Sequence, residues 1–383
     1  MVKNTPARLI NCLQHWASES LYFNANDYFE QLMVELDLAK ETIELECYIF
    51  SQDQLGRRII SSLIIAVKRG VKVRLIIDGA GCLDWEVEHI VELKTAGIEV
   101  KIYHPLPWQL SFYKEINIAR GFLLKLVYLI SRVNKRDHRK LYIIDKKTAW
   151  SGSINISASH LSKGHNIISW FDCGVRLTGS KVLELYKSFE DIWRVQGRYT
   201  IGKKRLPFRT NNNVVRRQRK NFELIQLIRS SKKRIWIISA YLLPSRRLIN
   251  AIKHAQSKDV DVKILISHRS DVIFFPLVST TYYKELINAD IKIYEYDKKI
   301  MHAKTILLDD LLFIGSSNLN HRSFLHDLEL DIIVTKKSSI QTLKQKFEQL
   351  IAQSELITIT HLSEQTWLQR LLGKVFWRLR YWL

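Results

Sequence analysis

His138-Arg139-Lys140-Leu141-Tyr142-Ile143-Ile144-Asp145 and His302-Ala303-Lys304-Thr305-Ile306-Leu307-Leu308-Asp309 carry one pattern twice, H-x-K-x4-D. Each copy is followed by a G-S-x-N turn, Gly152-Ser153-Ile154-Asn155 and Gly315-Ser316-Ser317-Asn318. One copy would say little, because His, Lys and Asp are common residues. Two copies with the same spacing and the same downstream turn mark an internal duplication. Within each copy the apolar run reads as a buried strand. Side chains repeat on a strand face every two residues, so His138 shares a face with Lys140, and His302 with Lys304.

The flanking patterns repeat as well. In the first half, strand patterns at 42–50, 70–79 and 98–103 alternate with an amphipathic helix at 56–69 and a helix running through Leu93. The second half replays this order with strands at 234–241, 260–266 and 291–296 and a helix at 246–256. The expectation is an α/β protein of two homologous halves, a mixed sheet in each, related by a pseudo-twofold with the active site between them. The boundaries read as 1–200 for the first half, 201–222 for a basic linker, 223–360 for the second half and 361–383 for a tail helix. The linker is drawn from Lys203, Lys204, Arg205, Arg209, Arg216, Arg217, Arg219 and Lys220 around Pro207 and three asparagines. It reads as a solvated connector or as a contact for an anionic surface.

The chain has 383 residues, of which 46% are hydrophobic and 25% charged, a globular balance. No apolar run reaches the roughly 18 residues of a transmembrane helix, and 1–16 lacks a signal-peptide layout. Cys12, Cys47, Cys82 and Cys173 show no metal or redox spacing and read as reduced thiols. A net charge of +21 calls for a polyanionic partner, nucleic acid or an anionic membrane. Two segments favour the membrane. An apolar patch at 121–130, flanked by basic residues, enters just before His138 and reads as an interfacial helix or a packed one. At the C-terminus, Arg370, Lys374 and Arg378 repeat every four residues opposite Leu368, Leu371, Leu372, Val375, Leu379 and Trp382, with Trp367 and Trp377 beside them. That is a membrane-surface pattern, the alternative being a packed terminal helix.

The motif residues suit a phosphodiester. A neutral imidazole can attack phosphorus and split one hard displacement into two easier ones. A second imidazole can protonate the leaving alkoxide and later deprotonate the incoming hydroxyl. Lys140, Lys304, Asn155 and Asn318 can hold the nonbridging oxygens, with Ser153 and Ser316 in the same turns. No metal or cofactor is needed. Each imidazole needs its other nitrogen held, and Asp172 and Glu329, downstream of the two turns, are the carboxylates for that task. Asp145 and Asp309 complete the motifs; they end their strands and read more as ties than as chemistry.

These residues resemble the phospholipase D superfamily, whose hallmark is the duplicated H-x-K-x4-D, over nearly the whole chain. Within it the sequence looks like bacterial cardiolipin synthases of the short type without N-terminal membrane spans. The supporting segments are Leu45-Glu46-Cys47-Tyr48-Ile49-Phe50, Leu75-Ile76-Ile77-Asp78-Gly79, Ala240-Tyr241-Leu242-Leu243-Pro244 and 315–323. The resemblance implies His138 as nucleophile and His302 as acid/base. It implies a phosphatidyltransferase joining phosphatidylglycerol to a second phospholipid, with phosphatidylethanolamine as another substrate, at the cytoplasmic face of a bacterial inner membrane. A hydrolase of phospholipids is the alternative. A nuclease is less expected, since family nucleases carry one motif per chain. Asn320 stands where synthases usually have Asp, Asp327 and Asp331 where Asn is common, and the first turn reads G-S-I-N; acceptor choice is where these departures bear.

Overall fold

The computed structural model describes residues 5–106, 135–161, 170–194, 206–270, 272 and 275–378. The apolar segment at 121–130 and Trp382 lie outside the described residues.

Two mixed sheets repeat one topology. The first runs Glu99–Tyr103, Lys72–Asp78, Thr42–Cys47, Leu141–Ile144, Thr148–Gly152, Gly174–Thr178, Ser18–Tyr22. The second runs Lys292–Tyr296, Asp261–Ser267, Arg234–Ser239, Thr305–Leu308, Leu311–Gly315, Leu330–Val334, Phe208–Thr210, with Glu355–Leu356 added at its outer edge. In each, the first three strands are parallel and the rest antiparallel. The crossover helices follow from capping and periodicity. The Asp53 carboxylate accepts from Leu55 N at 2.9 Å and Gly56 N at 3.1 Å to start Gln54–Lys68, and Leu55, Ile59, Leu63 and Ala66 form its buried stripe. Ser245 caps the counterpart, Arg246–Gln256, which buries Leu248, Ile252 and Ala255.

Three apolar clusters hold the molecule. One lies outside the first sheet and one outside the second. The central cluster takes Ile76, Leu141, Ile143, Val175 and Leu177 from the first sheet and Ile238, Leu265, Leu307, Ile314 and Ile332 from the second. Helices Val182–Trp193 and Lys337–Ile351 contribute Phe189 and Phe347 to it. Burying so much shared apolar surface joins the halves into one body.

The structure corrects the expected linker. Phe208–Thr210 is a strand of the second sheet and Val214–Ser230 is a helix, the counterparts of Ser18–Tyr22 and Ala25–Leu38. The duplication therefore begins about two elements earlier than the strand at 234. The basic residues hid this, yet several of the described ones are paired within the fold. Lys220 meets Asp331 at 2.9 Å and Ser317 Oγ at 2.7 Å, Arg217 donates to Leu325 O at 2.7 Å and His326 O at 3.0 Å, and Arg219 meets Glu223 at 2.9 Å. The first boundary also shifts, because Leu9 and Leu13, in and just after helix Pro6–Cys12, are buried in the second half's cluster.

The tail helix, Trp367–Arg378, is packed on one side. Trp377 Nε1 donates to Tyr282 Oη at 2.7 Å, so Trp377 is a docking residue rather than a free membrane anchor. Gly373 permits the close approach: a Cβ there would stand 2.6 Å from Leu277 O. The other side leaves Trp367 74%, Leu368 49%, Leu371 48% and Val375 47% exposed.

Candidate active site

The motif histidines stand just before their strands rather than in them, on extended segments that pair with the opposite half. His138 N donates to Leu328 O at 3.0 Å, and Leu328 N to Arg136 O at 2.8 Å. In the other half Ile300–Met301 runs parallel to Trp170–Phe171, and His302 N donates to Phe171 O at 2.8 Å. Each histidine is thereby carried to the carboxylate that follows its pairing partner in the other half. His138 Nδ1 lies 3.2 Å from Glu329 Oε2, and His302 Nδ1 lies 2.9 Å from Asp172 Oδ1. Both carboxylates singled out in the sequence lie beside a motif histidine, and the pairing is crossed between halves. An ionised carboxylate only accepts, so Nδ1 carries the hydrogen and Nε2 is left for chemistry.

The electrostatics favour neutral imidazoles. Burial, then the neighbouring Lys140 charge, pushes His138 down to about 4; burial, then Lys304, pushes His302 down to about 3. Burial alone would raise Glu329, but His138, Lys220 and Ser316 outweigh it and leave the carboxyl at about 2. Burial of Asp172 is likewise outweighed, by His302 and His160, and its pKa falls well below the usual carboxylate range. Burial lowers Lys140 to about 8, with Glu329 and Asp172 opposing the fall.

Lys140 Nζ donates to His138 O at 2.8 Å and Lys304 Nζ to His302 O at 2.6 Å. Each ammonium also lies near a tyrosine ring, Lys140 at 5.0 Å from the centroid of Tyr48 and Lys304 at 5.9 Å from that of Tyr241. The Oδ1 atoms of Asn155 and Asn318 are buried without partners, in side chains 1% and 5% exposed. An unpaired acceptor at such depth is costly and calls for a hydrogen-bond donor.

The serines do a different task from holding phosphate. Ser316 Oγ donates to Glu329 Oε2 and accepts from Leu330 N at 3.0 Å. Ser153 Oγ donates to Cys173 O at 3.2 Å and accepts from Cys173 N at 3.1 Å, next to Asp172. Both are fully buried and fasten the carboxylate strands. Gly315 is required beside them, since a Cβ there would fall 2.2 Å from Leu330 O.

Asp145 and Asp309, although part of each motif, are not at the site. Asp145 accepts from Glu41 N at 2.7 Å and Thr42 N at 3.0 Å; Asp309 accepts from Lys233 N at 2.7 Å and Arg234 N at 3.2 Å. They tie down the entry to each half's parallel strands, one strand length from the lysines. The departures from the synthase pattern are absorbed locally. Asn320 caps helix His321–Leu325 by accepting from Ser323 N at 3.0 Å, Asp331 answers Lys220, and Asp327 meets Arg322 at 2.9 Å. Burial, against the pull of Arg322, lifts Asp327 to about 7.

Sequence reasoning missed several neighbours. Tyr48 packs edge-on to His138 at 4.7 Å between centroids, and Trp170 lies 4.9 Å from His302. Tyr48 stands one residue past its strand and Tyr241 two past the matching one, so the repeat register does not pair them and gives no signal for either. His160 Nδ1 lies 2.5 Å from Asp172 Oδ2, and Ser323 Oγ donates to Glu329 Oε1 at 2.5 Å. Among the described residues His160, Asp172 and His302 form the one group with metal-ligand chemistry, and Asp172 there is committed to both imidazoles.

Two fused halves sharing a duplicated histidine–lysine site between them define a phosphodiester-handling enzyme of the phospholipase D-like class. The family described as cardiolipin synthase, PLD-like domain, matches residues 32–193 and 224–351. A cardiolipin synthase of Clostridium perfringens is 30% identical over 375 residues, 92% of this chain and 74% of that protein. Cardiolipin synthase A of Pectobacterium atrosepticum is 28% identical over 374 residues, 92% of this chain and 73% of that one. The crystal structure of phosphatidylserine synthase from Haemophilus influenzae superposes with a TM-score of 0.70 at 13% identity, covering 99% of this chain and all of that one, a likeness of fold. The chain belongs to the cardiolipin synthase, PLD-like family, and is an enzyme of the phosphatidyltransferase type.

Proposed function

We propose that this enzyme makes cardiolipin from phosphatidylglycerol and a second phospholipid through a phosphatidyl-histidine intermediate. The observation that carries the reading is the crossed pair of buried imidazole–carboxylate contacts, His138 with Glu329 and His302 with Asp172. The anionic phosphodiester enters between Lys140 and Lys304, with the Asn155 and Asn318 amides at its nonbridging oxygens. Its charge raises the pKa of His302, so the imidazolium that acts as acid forms on binding. His138 Nε2 attacks phosphorus; the P–N bond forms, the bond to the leaving glycerol oxygen breaks, and that oxygen takes the proton of His302. In the second step the acceptor hydroxyl gives its proton to His302, its oxygen attacks phosphorus and the P–N bond breaks. Water in place of the acceptor gives phosphatidic acid.

The membrane reading rests on charge and on one helix face. The chain carries +21, and Trp367, Leu368, Leu371 and Val375 form an exposed apolar row on the tail helix. An anionic phospholipid surface suits both, with Arg370, Lys374 and Arg378 in the same helix. Among the described residues no helix is long and apolar enough to cross a membrane. The enzyme works as a peripheral protein on the cytoplasmic face of a bacterial inner membrane.

The test is mass spectrometry of lipids after incubation with phosphatidylglycerol vesicles. Cardiolipin plus glycerol with the native chain, and neither with His138→Ala, is the expected result. Phosphatidic acid alone would make it a hydrolase, and normal turnover by His138→Ala would overturn the mechanism.

A further inference from the structure

The two halves are not chemically equal, and the difference lies behind the histidines. Glu329 is held on its second oxygen by Ser323, and Asp172 by His160. Each donor stands five residues beyond its turn asparagine, Asn318 or Asn155, so the two are equivalent positions of the duplication. The longer carboxylate takes the short hydroxyl and the shorter carboxylate takes the long imidazole, so the same gap is spanned in both halves. Only one half therefore places a third imidazole in the chain of contacts. His160 is 2% exposed, its ring centroid is 5.6 Å from that of His302, and it lies against Trp170 at 4.7 Å. It also lines a polar cavity of about 220 Å³ with Asn24, Lys299, Lys346 and Gln349, room for several waters.

We propose that His160 is a positioning residue for proton transfer: it fixes Asp172, and through it His302, from the wall of a neighbouring polar cavity. The inference rests on the reading of His302 as acid/base and His138 as nucleophile. An imidazolium forming at His302 needs an ionised carboxylate at its Nδ1, and a carboxylate hydrogen-bonded on both oxygens keeps its place as that charge comes and goes. Ser323 does the same for Glu329 on the nucleophile's side, where His138 ends each cycle as it began.

Leaving-group dependence separates the two sides. With a phosphatidyl ester of p-nitrophenol the departing phenolate needs no proton, so the burst does not call on His302, Asp172 or His160 for acid catalysis. In the full-length protein, His160→Ala is expected to lower phosphatidylglycerol turnover by about 10- to 100-fold, within the about 10²–10⁴ that acid/base catalysis supplies. The p-nitrophenol burst is expected to persist, its amplitude counting the folded sites. Ser323→Ala is expected to slow the burst itself, and His160→Gln, which keeps an N–H donor, to recover part of the phosphatidylglycerol turnover. Equal losses on both substrates in His160→Ala, with no recovery in His160→Gln, would make His160 merely structural and overturn the proposal. Native turnover of phosphatidylglycerol by His160→Ala would overturn it while leaving the proposed function intact. A burst slowed by His160→Ala and untouched by Ser323→Ala would instead reverse the roles of the two histidines, and the underlying reading would fail.

Discussion

Replacing Glu329 by Gln removes one charge from a fully buried site and leaves the shape nearly unchanged. The carboxylate accepts from Ser316 Oγ, from Ser323 Oγ at 2.5 Å and from His138 Nδ1 at 3.2 Å. A glutamine presents an N–H₂ to at least one of those donors, so one contact turns repulsive and His138 is free to take the wrong tautomer. Leaving one of these buried donors without an acceptor costs about 1–3 kcal/mol of stability. The activity loss is larger than stability alone would give, because the nucleophile loses both its orientation and the charge that raises its basicity. A fall of about 10²–10⁴ in the rate of phosphatidyl-enzyme formation is expected. Rapid quench with radiolabelled phosphatidylglycerol measures that rate directly, and urea unfolding measures stability in the same preparation. Labelling of His138 at the native rate in a folded Glu329→Gln protein would refute the orienting role.

Asp145→Ala should lower the unfolding free energy by about 1–3 kcal/mol, since three backbone N–H groups lose their acceptor, while turnover stays near the native value; a urea midpoint beside a lipid assay decides it. Stability should fall on acidification. His138 and His302 are held near 4 and 3 when folded, against about 6.5 unfolded, so below about pH 6.5 the unfolded chain binds protons that the folded chain refuses. The loss runs from about 6.5 down through the folded values and is absent above 6.5; unchanged urea midpoints between about pH 7 and 5 would contradict it. The double variant Leu371→Glu, Val375→Glu should weaken binding to anionic vesicles by about 10-fold or more while sparing activity on detergent-dispersed lipid, because these side chains are about half exposed and not part of the helix docking face. Equal loss in both assays would make that face structural. His302→Asn should allow His138 to be labelled from the p-nitrophenol ester and then hold the label, visible as a stable mass increment.

Most of the frame was legible because duplication leaves period and spacing intact. The parallel strands at 72–78 and 261–267, the helices after them and both H-x-K runs announce themselves by apolar runs and repeated order. What was hidden was hidden for physical reasons. Lys220 and Arg217 look like solvated charges in a row, and only the partners Asp331 and the 325–327 carbonyls, a hundred residues away, turn that row into a helix with a buried side. Asp172 and Glu329 were identified as orienting carboxylates, but local spacing carries no information about which histidine each one meets. His160 has no local signal at all, since Ser323, its equivalent, differs in residue type. The tail helix shows the limit of the helical wheel: Trp377 and Gly373 share a pattern with Leu371 and Val375, and the close contact at Leu277 decides which side faces inward.

The crossed imidazole–carboxylate contacts have a consequence for assembly. A half folded by itself holds a motif histidine whose carboxylate is still elsewhere, and a carboxylate without its motif histidine. A nascent or partly unfolded chain therefore has no armed nucleophile, whatever membrane it touches. Each motif imidazole meets its carboxylate only when both halves are in place.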